Sequence, residues 1–323
     1  MSQIYFPGAN TGRGFVSRFS GIIPDSEHYT YFLKGGPGVG KNTLMRTVAQ
    51  KAKEKGMSVE EFRCASDPES FDAIRIPEIK VAFLDGTAPH STDPTVPGIN
   101  GEILDLGYFK NKKEFALYRG ELDAITAKNK ECYKTAYALL GAARALKSEA
   151  LIGASASLNR GRLRAFLSPF VKAAKSGVPR KLFASSATPV GTVDFTQSFC
   201  DGKTVYLSGI LGEAALSEAA KLLFESEVLI GYGFIEPDAP IAIKSDCFSL
   251  AVGEGETLIG LCDSPVPEYV PSFIEESERL VAKANEALGG ALEAHDKIEE
   301  LYRPFVDYEK ANEESERVLK EIF

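Results

Sequence analysis

The segment FLKGGPGVGKNTL, residues 32–44, limits the possible folds of this chain more than any other. A short apolar run precedes it, and apolar residues at helical spacing follow it, which predicts a strand, a glycine loop and a helix in that order. The loop matches the phosphate-binding pattern G-x-x-x-x-G-K-[ST] except at its last position, where Asn42 replaces a hydroxyl residue. We therefore expect an α/β fold with a phosphate-binding loop.

The chemistry of phosphate explains why these residue types occur together. Glycines let oxygens approach successive backbone N–H groups, and the start of a helix adds its positive end. Lys41 adds a full charge that can reach the β- and γ-phosphates. A tight glycine turn that binds nothing is the alternative, but the lysine and the strand–loop–helix context favour phosphate. The predicted contacts are Gly35, Gly36, Pro37, Gly38, Val39, Gly40, Lys41, Asn42 and Thr43.

A second motif, KVAFLDG at residues 80–86, places an acidic residue, Asp85, at the end of an apolar run. After such a strand, an aspartate can hold Mg²⁺ directly or through water. Gly86 follows Asp85, so the glutamate that activates water in many ATPases is absent from its usual place. Other residues could take that role, although each is more typical of a cap or turn. These candidates are His90, Asp67, Glu69 and Asp72.

Asn42 affects the metal more than the phosphates. Its amide oxygen lies further from the backbone than a serine hydroxyl, and Mg²⁺ requires near-ideal octahedral geometry. We expect Asn42 and Asp85 to be the metal ligands, with weakened Mg²⁺ binding. The lysine and Asp85 would be the catalytic pair if ATP is turned over, and diphosphate binding should survive in either case.

The rest of the chain predicts a duplicated α/β protein. Apolar runs at 30–35, 58–65 and 80–86 indicate strands of a parallel sheet, and long helical stretches cover 112–150 and 272 to the end, with Pro304 kinking or splitting the second. Three blocks recur in the same order. They are FPGANTGRGFVSRF with FASSATPVGTVDFTQSF, YFLKGGPGVGKNTL with VYLSGILGEAAL, and DPESFDAIRIPEIKVAFLDG with EPDAPIAIKSDCFSLAVGEG. We divide the chain into a phosphate-binding domain, a basic helical connector and a degenerate repeat with C-terminal helices, at 1–150, 151–181 and 182–323.

The second copy lacks the chemistry of the first. Its loop, SGILGEAAL, carries Glu213 where the first copy has Lys41, and a carboxylate there repels phosphate. In the third repeated block, Glu254 occupies the position that corresponds to Asp85. The connector contains seven cationic residues and no acid between positions 159 and 181. A solvated helix is the favoured interpretation of that charge, and a basic lid or arginine finger is the alternative.

Bulk composition excludes several classes. The net charge of -8 argues against a nucleic-acid partner, and no apolar run approaches the roughly 20 residues that cross a bilayer. The five cysteines are scattered and no histidine lies near one in sequence, which is typical of free thiols in a reducing cytoplasm without a zinc site.

The motifs FPGANTGRGF, FLKGGPGVGK, CASDPESFDAIRIPE and DGTAPH resemble a family of bacterial proteins with tandem P-loop halves, described as ATPases or nucleotide kinases of unassigned function. The resemblance covers nearly the whole chain. It implies a P-loop NTPase fold, ATP with Mg²⁺ as ligand and a cytoplasmic protein. It also implies that residues 35–43 form the nucleotide site, with Asp85, Thr87 and His90 at its rim. The family loop reads Gly-Lys-Ser-Thr, so Asn42 leaves hydrolysis open.

Three functional hypotheses remain. The first is an ATPase or kinase-like phosphotransferase. The second is a nucleotide-binding sensor or adaptor with little or no hydrolysis, which Asn42 and the degenerate second loop favour. The third is an interaction protein that uses its helices and binds no nucleotide, and Lys41 argues against it.

Overall fold

The computed structural model describes residues 3–23, 27–87 and 92–323. In these ranges the chain is a mixed α/β protein with long helices and sheets that contain both parallel and antiparallel pairs. The strands in chain order are β1 (Gln3–Tyr5), β2 (Gly8–Thr11), β3 (Gly14–Ser17), β4 (Tyr29–Lys34), β5 (Glu60–Arg63), β6 (Phe71–Ile76), β7 (Val81–Asp85), β8 (Gly101–Asp105), β9 (Arg180–Phe183), β10 (Ser185–Thr188), β11 (Gly191–Asp194), β12 (Thr204–Leu207), β13 (Leu229–Tyr232), β14 (Pro240–Lys244) and β15 (Ser249–Val252). The helices are α1 (Lys41–Glu54), α2 (Lys112–Phe115), α3 (Arg119–Ser157), α4 (Arg160–Ala173), α5 (Gly209–Leu222), α6 (Tyr269–Tyr302) and α7 (Tyr308–Ile322).

The chain forms two compact units, and each draws on separate stretches of sequence. The first unit contains residues 1–7, 22–134 and 287–323, and the second contains 8–21 and 135–286. The division predicted from the sequence, at 1–150, 151–181 and 182–323, uses consecutive segments. In the structure, the compact unit that contains the glycine loop also contains residues 287–323.

The sheet of the first unit has the strand order β1-β5-β6-β7-β4-β8. Strand β4 lies between β7 and β8 and runs parallel to both. The expectation of a parallel sheet is wrong at β6, which pairs antiparallel with β5 and with β7. The reason is the length of the connection, because only a short turn at Pro77–Ile79 separates β6 from β7. A parallel crossover needs a dozen or more residues.

Helix α1 packs on this sheet through the apolar face that the sequence predicts. Leu44, Val48 and Ala49 are buried, and they share a core with Leu33 of β4 and Phe83 of β7. The helix ends just before Gly56, which has a positive φ of 78°. A glycine in that conformation ends a helix without steric cost, and the sequence marks this end correctly.

The predicted long helices are present, with different bounds. The stretch at 112–150 becomes α2, a short 3-10 turn and α3, which continues to Ser157. The second stretch is α6 and α7, separated at Pro304 by a 3-10 turn. The predicted split at this proline is confirmed. Within the described ranges, no helix has both the length and the apolar character that crossing a bilayer requires.

The second unit contains a sheet with the strand order β12-β15-β14-β13-β9. Read from β9, its pairing follows the same pattern as β1-β5-β6-β7-β4, parallel at both ends and antiparallel around β14. A four-stranded sheet, β11-β10-β2-β3, joins two hairpins. In each hairpin a threonine hydroxyl donates to the carbonyl of a glycine, from Thr11 to Gly14 at 2.8 Å and from Thr188 to Gly191 at 2.6 Å.

Candidate functional site

The glycine loop lies at the carboxyl edge of the first unit's sheet. It connects β4 to α1, and the parallel neighbours β7 and β8 end beside it at Asp85 and Asp105. Ligands of α/β proteins bind at this edge, because the loops after parallel strands meet there. The sequence predicts the meeting of the loop with Asp85, and the structure places both there.

Three glycines give the loop a backbone that other residues adopt poorly. Gly35, Gly38 and Gly40 have φ values of 136°, 71° and 101°. A Cβ on Gly35 would lie 2.7 Å from Cγ2 of Val39, so this position also needs a residue without a side chain. Gly40 precedes the first helical residue and provides no side-chain cap. The N-cap residue of α1 therefore forms no side-chain hydrogen bond to the first backbone N–H groups of the helix.

Lys41 lies over the loop. Its Nζ donates to the carbonyl oxygens of Gly35 at 2.5 Å and Gly36 at 3.2 Å, and to Oγ1 of Thr87 at 3.3 Å. The same Nζ is 3.4 Å from Oδ2 of Asp85, and its side chain is only 12% exposed. These partners hold the charge of the lysine beside the start of α1, where an anion would be attracted by both.

Asn42 turns its amide toward the β5–β6 turn. Its Nδ2 donates to Oγ of Ser70 at 3.2 Å, and its Oδ1 accepts the backbone N–H of Phe71, also at 3.2 Å. Ser70 in turn donates to the carboxylate of Asp67. Asn42 therefore joins the start of α1 to the turn that carries Asp67, and both polar atoms of its amide have protein partners.

Asp67, Glu69 and Asp72, the acidic side chains predicted as possible general bases, lie in different environments. Asp67 is a turn residue, since its Oδ1 accepts the backbone N–H of Glu69. Glu69 is exposed. Asp72, by contrast, is not a cap or turn residue, because it lies within β6 with only 4% of its surface exposed. Burial raises the pKa of Asp72 to about 7, the thiol of Cys64 opposes that shift by hydrogen bonding, and the charge of Asp85 adds to it.

Thr87, two residues after Asp85, orients the Asp85 carboxylate by hydrogen bonding. Oδ1 of Asp85 accepts the backbone N–H of Thr87 at 2.9 Å and also the Thr87 hydroxyl. The other candidate of this motif, His90, lies outside the described residues. Within the described ranges, no group of three or more histidine, cysteine or acidic side chains is arranged to hold a metal ion.

Three residues near the end of the chain, Glu299, Tyr302 and Tyr308, lie against the loop and were not predicted from the sequence. The hydroxyl of Tyr308 donates to the carbonyl of Gly38 at 3.0 Å. Tyr302 and Glu299, at the end of α6, lie next to Gly36 and Gly38. Nothing local in the sequence marks these contacts, because more than 250 positions separate the partners and the helix has an ordinary amphipathic pattern.

The second unit has no equivalent loop. Helix α5 begins at Gly209, directly after β12 and Ser208, so residues aligned with the first glycine loop are already helical. A Cβ on Gly212 would lie 2.5 Å from the carbonyl oxygen of Leu207, which shows that this glycine allows close helix–strand packing. Glu213 pairs with Lys147 at 2.6 Å, and each side chain is 13% exposed.

The predicted basic connector, 151–181, lies within the second unit and is not one helix: it contains the end of α3, the whole of α4 and the first residues of β9, which carry Arg180 and Lys181. Three of its cations pair with acids of that unit: Arg162 with Asp263 at 3.8 Å, Arg164 with Glu218 at 3.0 Å, and Lys175 with Asp246 at 2.5 Å. These pairs favour a solvated surface helix over a phosphate-binding lid.

No protein-family model, curated protein or solved structure matches this chain. The geometry of the glycine loop and its neighbours is therefore the basis for assigning a function.

Proposed function

We propose that this chain binds the phosphates of a nucleotide at residues 35–43, as a P-loop type of protein. One observation carries the proposal: the Nζ of Lys41 lies at the start of α1, inside a loop of three positive-φ glycines, and faces Asp85 on the adjacent parallel strand. Backbone N–H groups, a helix N-terminus and a lysine supply donors and positive charge in one place. A tight turn without a ligand needs no such lysine.

The nucleotide would be held mainly through its diphosphate. The observed arrangement argues against Asn42 as a Mg²⁺ ligand, because its amide oxygen accepts the N–H of Phe71. Oδ1 of Asp85 accepts two bonds from Thr87, which leaves Oδ2, 3.4 Å from Nζ of Lys41, as the oxygen of that carboxylate that could face a metal. Mg²⁺ needs oxygen ligands at about 2.0–2.1 Å with near-ideal geometry. We therefore favour a nucleotide-binding sensor or adaptor, for which ADP and ATP are comparable ligands.

An ATPase or kinase-like phosphotransferase is the second candidate. The closeness of Lys41 to Asp85 favours it, since phosphoryl transfer in P-loop proteins uses a lysine at the β- and γ-phosphates and an aspartate that holds Mg²⁺. Magnesium dependence separates the two candidates. A phosphotransferase requires Mg²⁺ for tight ATP binding, whereas a binding protein that uses the loop and Lys41 does not.

We further propose that the two units arose by duplication. The order β9-β13-β14-β15-β12 repeats β1-β5-β6-β7-β4, and the pairing register shifts in the corresponding strand pair of each unit, at Phe62/Arg63 and at Gly231/Tyr232. In the second unit the lysine position carries Glu213, so nucleotide binding is assigned to the first unit alone.

Calorimetry tests the proposal. ATP and ADP are titrated into metal-free protein, each with and without Mg²⁺, for the wild type, Lys41→Ala and Lys51→Ala. Lys51 is the matched control, because it is an exposed lysine on the same helix. We expect Lys41→Ala to weaken both nucleotides at least about 10-fold, since a charged hydrogen bond contributes about 1.5–3 kcal/mol, while Lys51→Ala binds as the wild type does.

Two results would change the assignment. Equal affinity of the Lys41→Ala and wild-type proteins would remove the loop from nucleotide binding. If Mg²⁺ tightened ATP more than about 10-fold, a difference of about 1.4 kcal/mol, the phosphotransferase would replace the sensor as the favoured candidate.

A further inference from the structure

Lys34, the last residue of β4, holds a peptide group beside the glycine loop. Its Nζ donates to the carbonyl oxygens of Gly86 at 2.7 Å and Thr92 at 2.9 Å, and it lies 2.8 Å from Oδ1 of Asp93. An ammonium group has three N–H donors, so these three partners use all of them. Lys34 is therefore directed to the segment that follows Asp85 and not to the loop that follows Lys34 itself.

The bond to Gly86 reaches the Asp85 carboxylate through one peptide group. The carbonyl of Gly86 and the N–H of Thr87 belong to the same rigid plane. Lys34 binds the oxygen of that plane at 2.7 Å, and Oδ1 of Asp85 accepts its N–H at 2.9 Å. A cation on the oxygen of a peptide also polarises its N–H, which strengthens the second bond. Fixing this peptide therefore fixes Oδ1 of Asp85.

The orientation of Asp85 in turn affects Lys41. With Oδ1 bound to Thr87, the other oxygen, Oδ2, is 3.4 Å from Nζ of Lys41. The Thr87 hydroxyl accepts from the same Nζ at 3.3 Å. Both groups thus hold the ammonium at the start of α1, where the proposed phosphates would bind. A carboxylate that is free to rotate would fix Lys41 less well, and its own charge would be less neutralised near an anion.

We propose that Lys34 is a positioning residue of the nucleotide site. It holds the Gly86–Thr87 peptide and, through this peptide, the Asp85 carboxylate. The inference rests on the nucleotide binding proposed above and adds a residue that lies outside the phosphate-loop pattern, which begins at Gly35. Charge alone would assign a lysine at this position to phosphate, whereas its contacts assign it an indirect role.

Calorimetry with ADP and metal-free protein tests the effect on binding. Lys34→Met removes the donors and keeps an apolar stem, and Asp93→Asn is the matched control, because it removes only the partner that is 67% exposed. We expect Lys34→Met to weaken ADP about 5-fold, since residues of one hydrogen-bond network are coupled to this extent. Asp93→Asn should stay within about 2-fold of the wild type. Lys34→Arg restores charged donors and should bind ADP more tightly than Lys34→Met.

An Asp85→Ala background shows whether Lys34 acts through that carboxylate. In this background Lys34→Met should change the affinity for ADP by less than about 2-fold, because the group that Lys34 orients is absent. The same loss of affinity in both backgrounds would mean that Lys34 acts through its own charge, and it would overturn the inference.

Amide exchange at Thr87, followed by NMR, reports on the peptide without any ligand. We expect exchange at least about 5-fold faster in Lys34→Met than in the wild type and Asp93→Asn, because the N–H loses a fixed acceptor. Thermal unfolding checks that each variant is folded. Unchanged exchange at Thr87 in a folded Lys34→Met protein would overturn the inference.

Lys41→Ala separates failure of the inference from failure of the proposed function. If Lys41→Ala weakens ADP and Lys34→Met does not, nucleotide binding stands and positioning by Lys34 is wrong. If Lys41→Ala and the wild type bind ADP equally, the proposed function fails, and faster exchange at Thr87 in Lys34→Met would still show that Lys34 holds the peptide.

Discussion

At the scale of single residues, position 42 has the clearest consequence for function. The sequence shows that a hydroxyl is missing there, but not what the asparagine does instead. In the structure its amide bridges Ser70 and Phe71 across the start of α1. A side chain with one donor and one acceptor suits that bridge, and a serine would be too short to make both bonds.

Replacing Asn42 with serine should therefore lower stability. Loss of the two hydrogen bonds is expected to reduce the free energy of unfolding by about 1–2 kcal/mol, since each contributes about 0.5–1.5 kcal/mol. Urea unfolding measures the difference. Thr43→Ser is the control, because Thr43 is the exposed neighbour on the same turn. An Asn42→Ser protein as stable as the wild type would contradict the bridging role.

Asp72 should make stability depend on pH. Its pKa is about 7 in the folded protein, raised by burial from an ordinary value of 3.8, so the folded state binds a proton that the unfolded chain releases. Stability from this group therefore falls as pH rises from about 4 to about 7, and it is constant above that range. Between pH 5 and pH 7 the loss is about 2–3 kcal/mol at 1.36 kcal/mol per pH unit.

Asp72→Asn should remove that loss, because asparagine keeps its polar shape and does not titrate. Urea unfolding of both proteins at pH 5 and pH 8 gives the difference, and it separates Asp72 from other titrating groups such as His295. Asp123→Asn, at an exposed site on α3, should leave the pH dependence unchanged. A parallel pH dependence in the wild type and Asp72→Asn would show that the carboxyl titrates normally.

At the scale of elements, local signals explain what the sequence predicts and what it misses. The strand β4, the glycine loop, α1 and β7 follow from glycines, apolar runs and helical spacing within a few residues. The antiparallel strand β6 was missed, although the short turn after it excludes a parallel crossover. The contacts of Tyr302 and Tyr308 with the loop could not be predicted, because no local pattern encodes which helix reaches a given loop.

Glycines at two positions of the loop should respond differently to alanine. Gly35→Ala introduces both a strained φ of 136° and a Cβ that lies 2.7 Å from Val39 and 3.1 Å from the backbone N of Gly107. We expect it to lower the free energy of unfolding by at least about 2 kcal/mol and to prevent nucleotide binding. Gly40→Ala meets no atom within 4 Å, so only the strain of about 1–2 kcal/mol remains.

Gly120→Ala is the control for this pair. It lies in α3 with open space around its position, and it should be neutral or stabilising by up to about 1 kcal/mol. Urea unfolding measures the free energy of unfolding of the three variants, which should be lowest for Gly35→Ala and highest for Gly120→Ala. Equal losses for Gly35→Ala and Gly40→Ala would mean that the loop can move away from Val39 and Gly107.

At the scale of the whole molecule, the first unit depends on the last helix of the chain. Val306, Ala311 and Val318 are buried in the same core as Leu44 and Val48 of α1. The residues around the glycine loop are thus supported by a segment that lies more than 200 positions later in the sequence. No division of the chain into consecutive halves describes this unit.

A charge in that core should loosen the glycine loop from a distance. Val318 is fully buried, and Val318→Asp would bury an unpaired carboxylate, which costs several kcal/mol. We expect faster hydrogen exchange at the amides of β4 and α1. Lys320→Asp is the control on the same helix, since the Lys320 side chain is 80% exposed. Unchanged exchange in Val318→Asp would show that the α1 core is stable without α7.

The interrupted units also impose an order on folding during synthesis. The ribosome completes residues 8–286, and with them every stretch of the second unit, before it reaches 287–323. The first unit starts earlier on the chain, but its core stays open until Val306, Ala311 and Val318 emerge. The core of the first unit is therefore incomplete in the nascent chain until that segment is made, which gives this unit more time than the second to misfold or aggregate.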